Sequence, residues 1–523
     1  GNNVAVGFET LKLNTTGTNN TALGYQALEA NTVGHSNVAV GTNALIANTE
    51  GTQNVAVGRI ALDANTTASY NTAVGYATLT ANTTGASNVA MGRNALLSNT
   101  VGYSNVAVGV SSLGANTVGH SNVAVGTSAL LSNTEGLYNV AVGPNSLDAN
   151  TEGNSNVGIG YAALGANTEG NQNVAVGPSA MIANISGGYN VAVGALSLDA
   201  NTTASYNTAV GYGTLTTNTT GISNVAVGRN SLLLNTVGYS NVAVGVSSLG
   251  ANVGGIKNTA LGASALLLNT SGNTNVAVGY DVLKANTEGT NNVAMGYNSL
   301  AVNTTGDSNV AIGALALDAN TTASDNTAVG YSALGANTDG FNNTAVGRDA
   351  GGAVTTGDNN SFLGHDAGIT GSPGGAITTA DNQMCLGDEN IANAHIQVDW
   401  TVASDKRDKT EVTPLVMGLD FINKLEPVTY RWDKRSKYSK DQDVTPDGTH
   451  KEAQLDVGFL AQDVEELEKE YGFNFEDKTN LTTNISDDEK MYGLKYSKFV
   501  PALVKAVQEL TAKVKELEGK LND

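Results

Sequence analysis

The chain has 523 residues, with 26 Lys+Arg against 47 Asp+Glu and a formal net charge of -21. Its 62 Gly, 7 Pro, 5% aromatic and 14% charged residues depart far from an ordinary globular enzyme. An acidic body without a basic stripe cannot displace counterions from phosphates, which excludes a nucleic-acid binder. The single cysteine, Cys385, excludes intrachain disulfides and cysteine-rich metal sites. No apolar run approaches the roughly 20 residues that span a bilayer, so no membrane insertion is expected. The sequence opens directly in a repeat with no signal-peptide pattern ahead of it, and so reads as a piece of a longer protein. Charge is uneven: residues 1–403 hold 7 Lys/Arg and 22 Asp/Glu, while residues 404–523 hold 19 and 25. The chain therefore changes character near residue 400.

From the first residues the pattern is periodic. The pentad at Asn3 (NVAVG) recurs at Asn20, Asn37 and Asn54 and onward to Asn360, always 17 residues apart, giving 22 copies. Asn37 to Gln53 shows one unit, NVAVGTNALIANTEGTQ, whose places are numbered 1 to 17 below. Place 9 is Leu in 19 of the first 20 copies and Met181 in the other; place 12 is Asn in all 20. Place 15 is Gly except at Ala68, Ala204 and Ala323. Val-Ala-Val alternates with period 2 and predicts a short strand with its valines on the core face. Gly at place 5 ends the strand at a tight bend. The ALxAN stretch predicts one helical turn or a second strand, with its Leu completing the core. NTxG supplies turn chemistry through Asn and a positive-φ Gly.

A length that never varies makes each copy one coil of a solenoid, since any insertion would shift every stacked column. One coil is predicted to bury two Val, one Leu and some Ala, too little to offset its ordering entropy, so coils must stack. Columns of Asn can form amide ladders along the axis. The Ala places are small enough to let coils of different chains approach closely. The unit resembles the head repeats of YadA-type trimeric autotransporter adhesins and the 17-residue repeats of tail-fibre and cell-surface proteins. That resemblance, over residues 3 to about 369, implies a trimeric parallel β-solenoid or β-roll.

The last copies break the pattern: Gly351 and Gly368 replace the core Leu, and GSPGG (371–375) follows. The shaft is therefore assigned to 1–344 and a cap and neck to 345–403. Asn382 to Trp400 is read as further, degenerate strands.

Beyond Ser404 the grammar becomes that of an α+β unit, 404–523. Leu419, Ile422 and Leu425 have helical spacing, and Pro427 stops that helix before a strand at VTYRW. Leu503, Val507, Leu510, Val514, Leu517 and Leu521 alternate spacings of four and three, the seam of a coiled coil over about 498–523. A parallel trimer is the natural partner of a threefold rod. Four motifs stand in order: SDKRDK from Ser404, LEPVTYRW, GFLAQDV, and YSKFVPALVKAVQEL. Together they resemble the intramolecular chaperone domain of endosialidases and phage tail fibres. That family assembles a trimer and then releases itself by autoproteolysis with a Ser-Lys dyad. The resemblance implies that Ser404 is the nucleophile, Lys409 the general base, and the bond between Ala403 and Ser404 the one cut. It gives Asp405 and Arg407 an orienting or ion-pairing role. A lysine serves as base only when desolvation favours its neutral form. The bland reading is that Ser404-Asp405 caps a helix and Lys409 is a solvated charge.

No cofactor or metal site is expected. The five histidines (His35, His120, His365, His395, His450) are dispersed and read as surface variation, and Trp400 and Trp432 as packing. The functional expectation is a structural homotrimeric fibre, placed in a virion, that binds a cell-surface receptor or glycan. Its one catalytic event would be a single self-cleavage. The alternatives are a bacterial surface adhesin with the same maturation domain, or a glycan-depolymerising tailspike, which the unbroken spacing opposes. An ice-binding lattice of Thr and Asn columns is a remote fourth.

Overall fold

The computed structural model describes every residue except 392, 398–400, 440–443, 487, 488 and 523. Trp400 thus lies outside the described residues. The chain divides into two compact units, Gly1–Thr305 and Gly306–Asp523.

In the first unit, strands run from Val4–Val6 (β1) to Val293–Met295 (β18), one per 17-residue coil. Each pairs in parallel with the next in unbroken register, as in Val38↔Val55, Ala39↔Ala56 and Val40↔Val57. This is a parallel β-solenoid, and its register repeats the sequence period.

The strand faces the other way from the sequence expectation. The central Ala is fully buried, at Ala39, Ala56 and Ala107 for example, while the flanking valines look outward. Val125 and Ile159 are 37% and 39% exposed. Space explains the inversion. The interior of so short a coil already holds the place-9 Leu and the Asn of places 1 and 12, all buried completely from the second coil on. Where place 3 is Gly158, even a methyl would come within 2.6 Å of Ser146 Oγ. The alanines of places 3 and 8 accordingly fill the coil and are not free to bring separate chains together, while those of place 11, such as Ala47 and Ala64, are half-buried.

The ALxAN stretch is neither helix nor strand. Places 7, 9 and 17 carry left-handed backbone on ordinary side chains, as at Asn43 (φ 57), Leu45 (φ 52) and Gln53 (φ 57). Such a conformation costs about 1–2 kcal/mol per residue. Burying a Leu side chain returns about 1.5–3 kcal/mol, so apolar burial barely covers its own strain. The remaining stabilisation is polar. Left-handed residues send their N–H groups to neighbouring coils: Asn43 N to Tyr25 O at 2.9 Å, Leu45 N to Ala61 O at 3.0 Å, Gln53 N to His35 O at 3.0 Å.

Two asparagine ladders complete the bonding. At place 12, Asn48 Nδ2 donates to Asn31 Oδ1 of the preceding coil (2.9 Å) and to Gly51 O of its own turn (3.1 Å). At place 1, Asn20 Oδ1 accepts from Asn37 N at 3.0 Å, and Asn37 Nδ2 reaches Gly51 O at 2.8 Å. Gly51 needs no positive φ; a Cβ there would instead lie 2.3 Å from Asn48 Oδ1. Gly41 at place 5 needs both freedoms, with φ +135 and only 2.5 Å between a built Cβ and Gly58 O.

The second unit has coils of the same kind, with Val310–Ile312 (β19), Thr327–Val329 (β20), Thr344–Val346 (β21) and Ser361–Leu363 (β22) paired in parallel with one another. Met384–Leu386 (β23) follows, Ser361 pairing with Met384 across a lengthened turn. Here the expected degenerate strand is present. The glycines that replace the core Leu have a specific cause. Phe362 stands at place 3 in the position of Ala and is 1% exposed. A Cβ on Gly351 or Gly368 would lie 2.7 or 2.2 Å from its ring, so one large side chain displaces two.

After these coils comes a small α+β region. Its elements are Leu419–Lys424 (α1), Val428–Tyr430 (β24), Asp456–Gly458 (β25), Ala461–Glu470 (α2), Thr483–Ile485 (β26), Tyr492–Leu494 (β27) and Phe499–Asn522 (α3). β24 pairs with β25 and β26 with β27, both antiparallel. Met417, Phe421, Val464, Leu467, Phe499 and Ala502 form the core. Phe421, rather than Leu419, is the residue of α1 at its centre. Buried Glu468 clamps the next segment, accepting from Thr482 N (2.6 Å), Thr482 Oγ1 (2.8 Å) and Thr483 Oγ1. One face of α3 packs through Phe499, Ala502 and Ala506, while Leu503, Val507, Leu510, Val514, Leu517 and Leu521 are 44–85% exposed.

Two expectations follow. Asn150 bonds Asn133 Oδ1 (2.9 Å) and Gly153 O (3.0 Å), and its own Oδ1 serves Asn167 (2.8 Å). Asn150→Ala strands those groups and should cost about 1–3 kcal/mol each for the partners left unpaired. Amide hydrogen exchange should show protection lost in the adjoining coils, with distant coils unaffected.

The second concerns place 10, where burial raises the carboxyls of Asp63, Asp148 and Asp199 above their usual range. Asp63 Oδ1 and Asp199 Oδ1 are buried without a partner. A raised acid favours the folded state when protonated, so its stabilisation is present below the unfolded value of about 3.9 and fades as pH rises through the folded value. Denaturant melts of Asp63→Asn/Asp148→Asn/Asp199→Asn should therefore exceed wild type in stability at pH 7 and converge with it near pH 3.5.

Candidate functional site

Ser404 opens an exposed segment whose shape is set within six residues. Asp405 accepts from Arg407 N at 2.9 Å and so caps the single 3-10 turn Lys406–Asp408. The same carboxylate takes the Arg407 guanidinium, with Nη2 to Oδ2 at 2.6 Å. The Arg407 bonds hold the Asp405 carboxyl below its usual range and raise the guanidinium in return. Lys409 leaves the turn in extended conformation, and its Nζ donates to Ser404 Oγ at 2.5 Å. Hydroxyl, amine and the Ala403–Ser404 peptide are thus gathered in one short stretch. The capping side chain is that of Asp405, which leaves the serine hydroxyl to the amine. Residues 403–411 are all exposed, so none of the described residues covers Lys409.

Upstream, the turn after β23 is held by the α+β region. Lys434 Nζ donates to Glu389 O, and Lys437 Nζ to Asn390 Oδ1 at 2.7 Å. Trp432 is 49% exposed, bonds Asp456 Oδ2 through Nε1 at 3.3 Å, and meets Tyr430 edge-on at 5.3 Å. Trp432 follows β24 rather than lying in it, and the expected packing is limited to these contacts, with half of the residue left open.

A second gathering escaped the sequence reading. His365 Nδ1 lies 3.3 Å from Asp366 Oδ2 and 3.6 Å from Asp388 Oδ2. Burial raises the Asp366 carboxyl, against the lowering influence of His365, and the nearby charges of Asp349 and Asp388 raise it further. At Asp388 burial acts upward, but hydrogen bonds from Asn390 and His365 outweigh it and hold that carboxyl low. The signal was present in the numbering. His365 and Asp388 both directly follow the glycine that ends a strand, so stacking superimposes them, but only once β23 is recognised as the next coil.

Residues 404–473 match the family described as chaperone of endosialidase. No curated protein and no solved structure matches the chain. The class that fold and match define is a structural fibre: a parallel β-solenoid of 17-residue coils followed by an endosialidase-type intramolecular chaperone segment. Within that class it resembles tail-fibre and endosialidase-type chains. The match begins at Ser404, the residue whose hydroxyl the lysine holds.

Proposed function

We propose that this chain is the subunit of a homotrimeric fibre of a virion tail, and that its C-terminal segment drives assembly and then cuts between Ala403 and Ser404. The observation that carries the reading is the 2.5 Å contact between Lys409 Nζ and Ser404 Oγ at the first residue of the family match.

The chemistry is a shift followed by hydrolysis. Neutral Lys409 takes the Ser404 hydroxyl proton while Oγ attacks the Ala403 carbonyl carbon. The C–N bond breaks, the proton passes to the leaving nitrogen, and Ala403 is left as an ester on Oγ. Water then hydrolyses that ester, giving a free carboxylate on Ala403 and restoring the hydroxyl. Lys409 is exposed to water in the single chain. Neighbouring chains that cover the segment would strip that water. Cleavage would then report completed assembly.

Two unpartnered apolar faces support a trimer. Place 4 is apolar in every coil from Val6 to Leu363 and points outward throughout. The exposed seam of α3, a helix of about 36 Å, has the spacing of a coiled coil. The ligand proposed is a cell-surface receptor or glycan.

Denaturing gels and intact mass on wild type, Ser404→Ala and Lys409→Ala test the cut. Wild type should yield a fragment beginning at Ser404, and both variants should stay whole; an intact wild-type trimer would overturn the cleavage. Assembly is tested separately by light scattering on Val125→Asp/Val193→Asp, placed where the side chains are 37% and 36% exposed. Each coil should keep its fold, and the trimer should dissociate.

A further inference from the structure

At the C-terminal end of the solenoid the surface changes chemistry. In the body, the residue after each strand-ending glycine is mostly Tyr, Arg, Thr, Val, Pro or Ala. In the last coils this column and its neighbour become Arg348-Asp349, His365-Asp366 and Asp388-Glu389. Stacking therefore sets one imidazole among three carboxylates. Asp349 has Arg348 Nε at 2.9 Å, which leaves Asp366 and Asp388 facing His365.

We propose that His365, Asp366 and Asp388 bind a divalent first-row transition cation of the zinc type. Geometry is the first argument. Ligands about 2.1 Å from a tetrahedral zinc stand about 3.4 Å apart. The distances from His365 Nδ1 to the two carboxylates are 3.3 and 3.6 Å, and the three donor atoms all lie within 4.8 Å of one another. Hydrogen bonding is the second. A single Nδ1–H can serve only one of two carboxylates, whereas a cation at their centre serves all three donors. The donor set is the third: one imidazole with two carboxylates selects zinc-like ions over magnesium or calcium, which prefer oxygen alone. Support from behind the ligands is the fourth. Asp388 is 9% exposed and is fixed by Asn390 N at 2.9 Å and Asn390 Nδ2 at 2.7 Å, so one ligand is pre-oriented by its own turn. His365 is half-exposed, which leaves an entry path and room for water as the fourth ligand.

The placement suggests what the ion does. The turn carrying Asp388 is also held by Lys434 and Lys437, both beyond Ser404. If the proposed cut releases those lysines, the cation would tie the terminal coil to the one before it in their absence. That role rests on the cleavage reading; the binding itself does not.

The test uses the untagged full chain and its uncut Ser404→Ala form, stripped with chelator, dialysed against zinc and counted by elemental analysis. One zinc per chain should be retained by both forms, with magnesium and calcium failing to displace it. His365→Ala and the near-isosteric Asp388→Asn should reduce zinc to background, and His120→Ala should not. Wild type without zinc, or zinc undiminished in both ligand variants, would overturn the site. Retention in Ser404→Ala with a lost cut would separate the two proposals. A rise in the melting temperature of the cut fibre on adding zinc, absent in Asp388→Asn, supports the clamping role; no rise would overturn it.

Discussion

Everything in the solenoid depends on hydrogen bonds that leave one coil and end in the next. The backbone is folded so tightly that three residues of each coil adopt left-handed angles, and the Leu burial of a coil, about 1.5–3 kcal/mol, falls short of their combined strain of about 3–6 kcal/mol. What tips the balance is that donors and acceptors of each turn meet partners 17 residues away, in the two amide ladders and in the strands. None of these bonds exists in an isolated coil. A coil is therefore stable only as a member of a stack, and the period cannot drift without breaking all the columns together.

Much of this was legible in the residues, and the misses have physical causes. The period, the parallel register and the asparagine columns follow from counting, because a ladder needs the same side chain at the same place. The direction of the strand does not follow. Val-Ala-Val alternates equally well either way, and hydrophobicity favours the wrong one; only the interior volume, already claimed by Leu45 and Asn48 and their equivalents, decides for Ala39. The left-handed Leu45 is likewise invisible to propensity, since its strain is offset by a bond to another coil. Gly351 and Gly368 looked like a fading repeat until Phe362 was seen between them. The Ser404 segment lies within one short turn and was readable as a motif, whereas His365 and Asp388 meet only through stacking across a turn of changed length.

The same uniformity that builds the stack weakens its addressing. Neighbouring coils are so alike that two chains slid past one another by 17 residues would still present the same outward column of place-4 apolar residues to each other. A body of this kind contains little that penalises a slipped pairing. The chemically distinct end supplies what the body lacks. Its core is small, its α3 seam is bare, and its sequence occurs once, so it has a single register. In the assembly proposed, alignment would start there and pass into the repeats as coils close one upon the next.

Fixed coil length has a genetic corollary. The segment LDANTTASYNTAVGY occurs at 62–76 and again at 198–212, and with one change at 317–331. These copies are separated by 136 and 119 residues, eight and seven whole coils. Unequal exchange between such near-identical stretches adds or removes an integral number of coils and leaves every seam intact. Reach can therefore evolve in steps of about 4.8 Å without any intermediate that fails to fold.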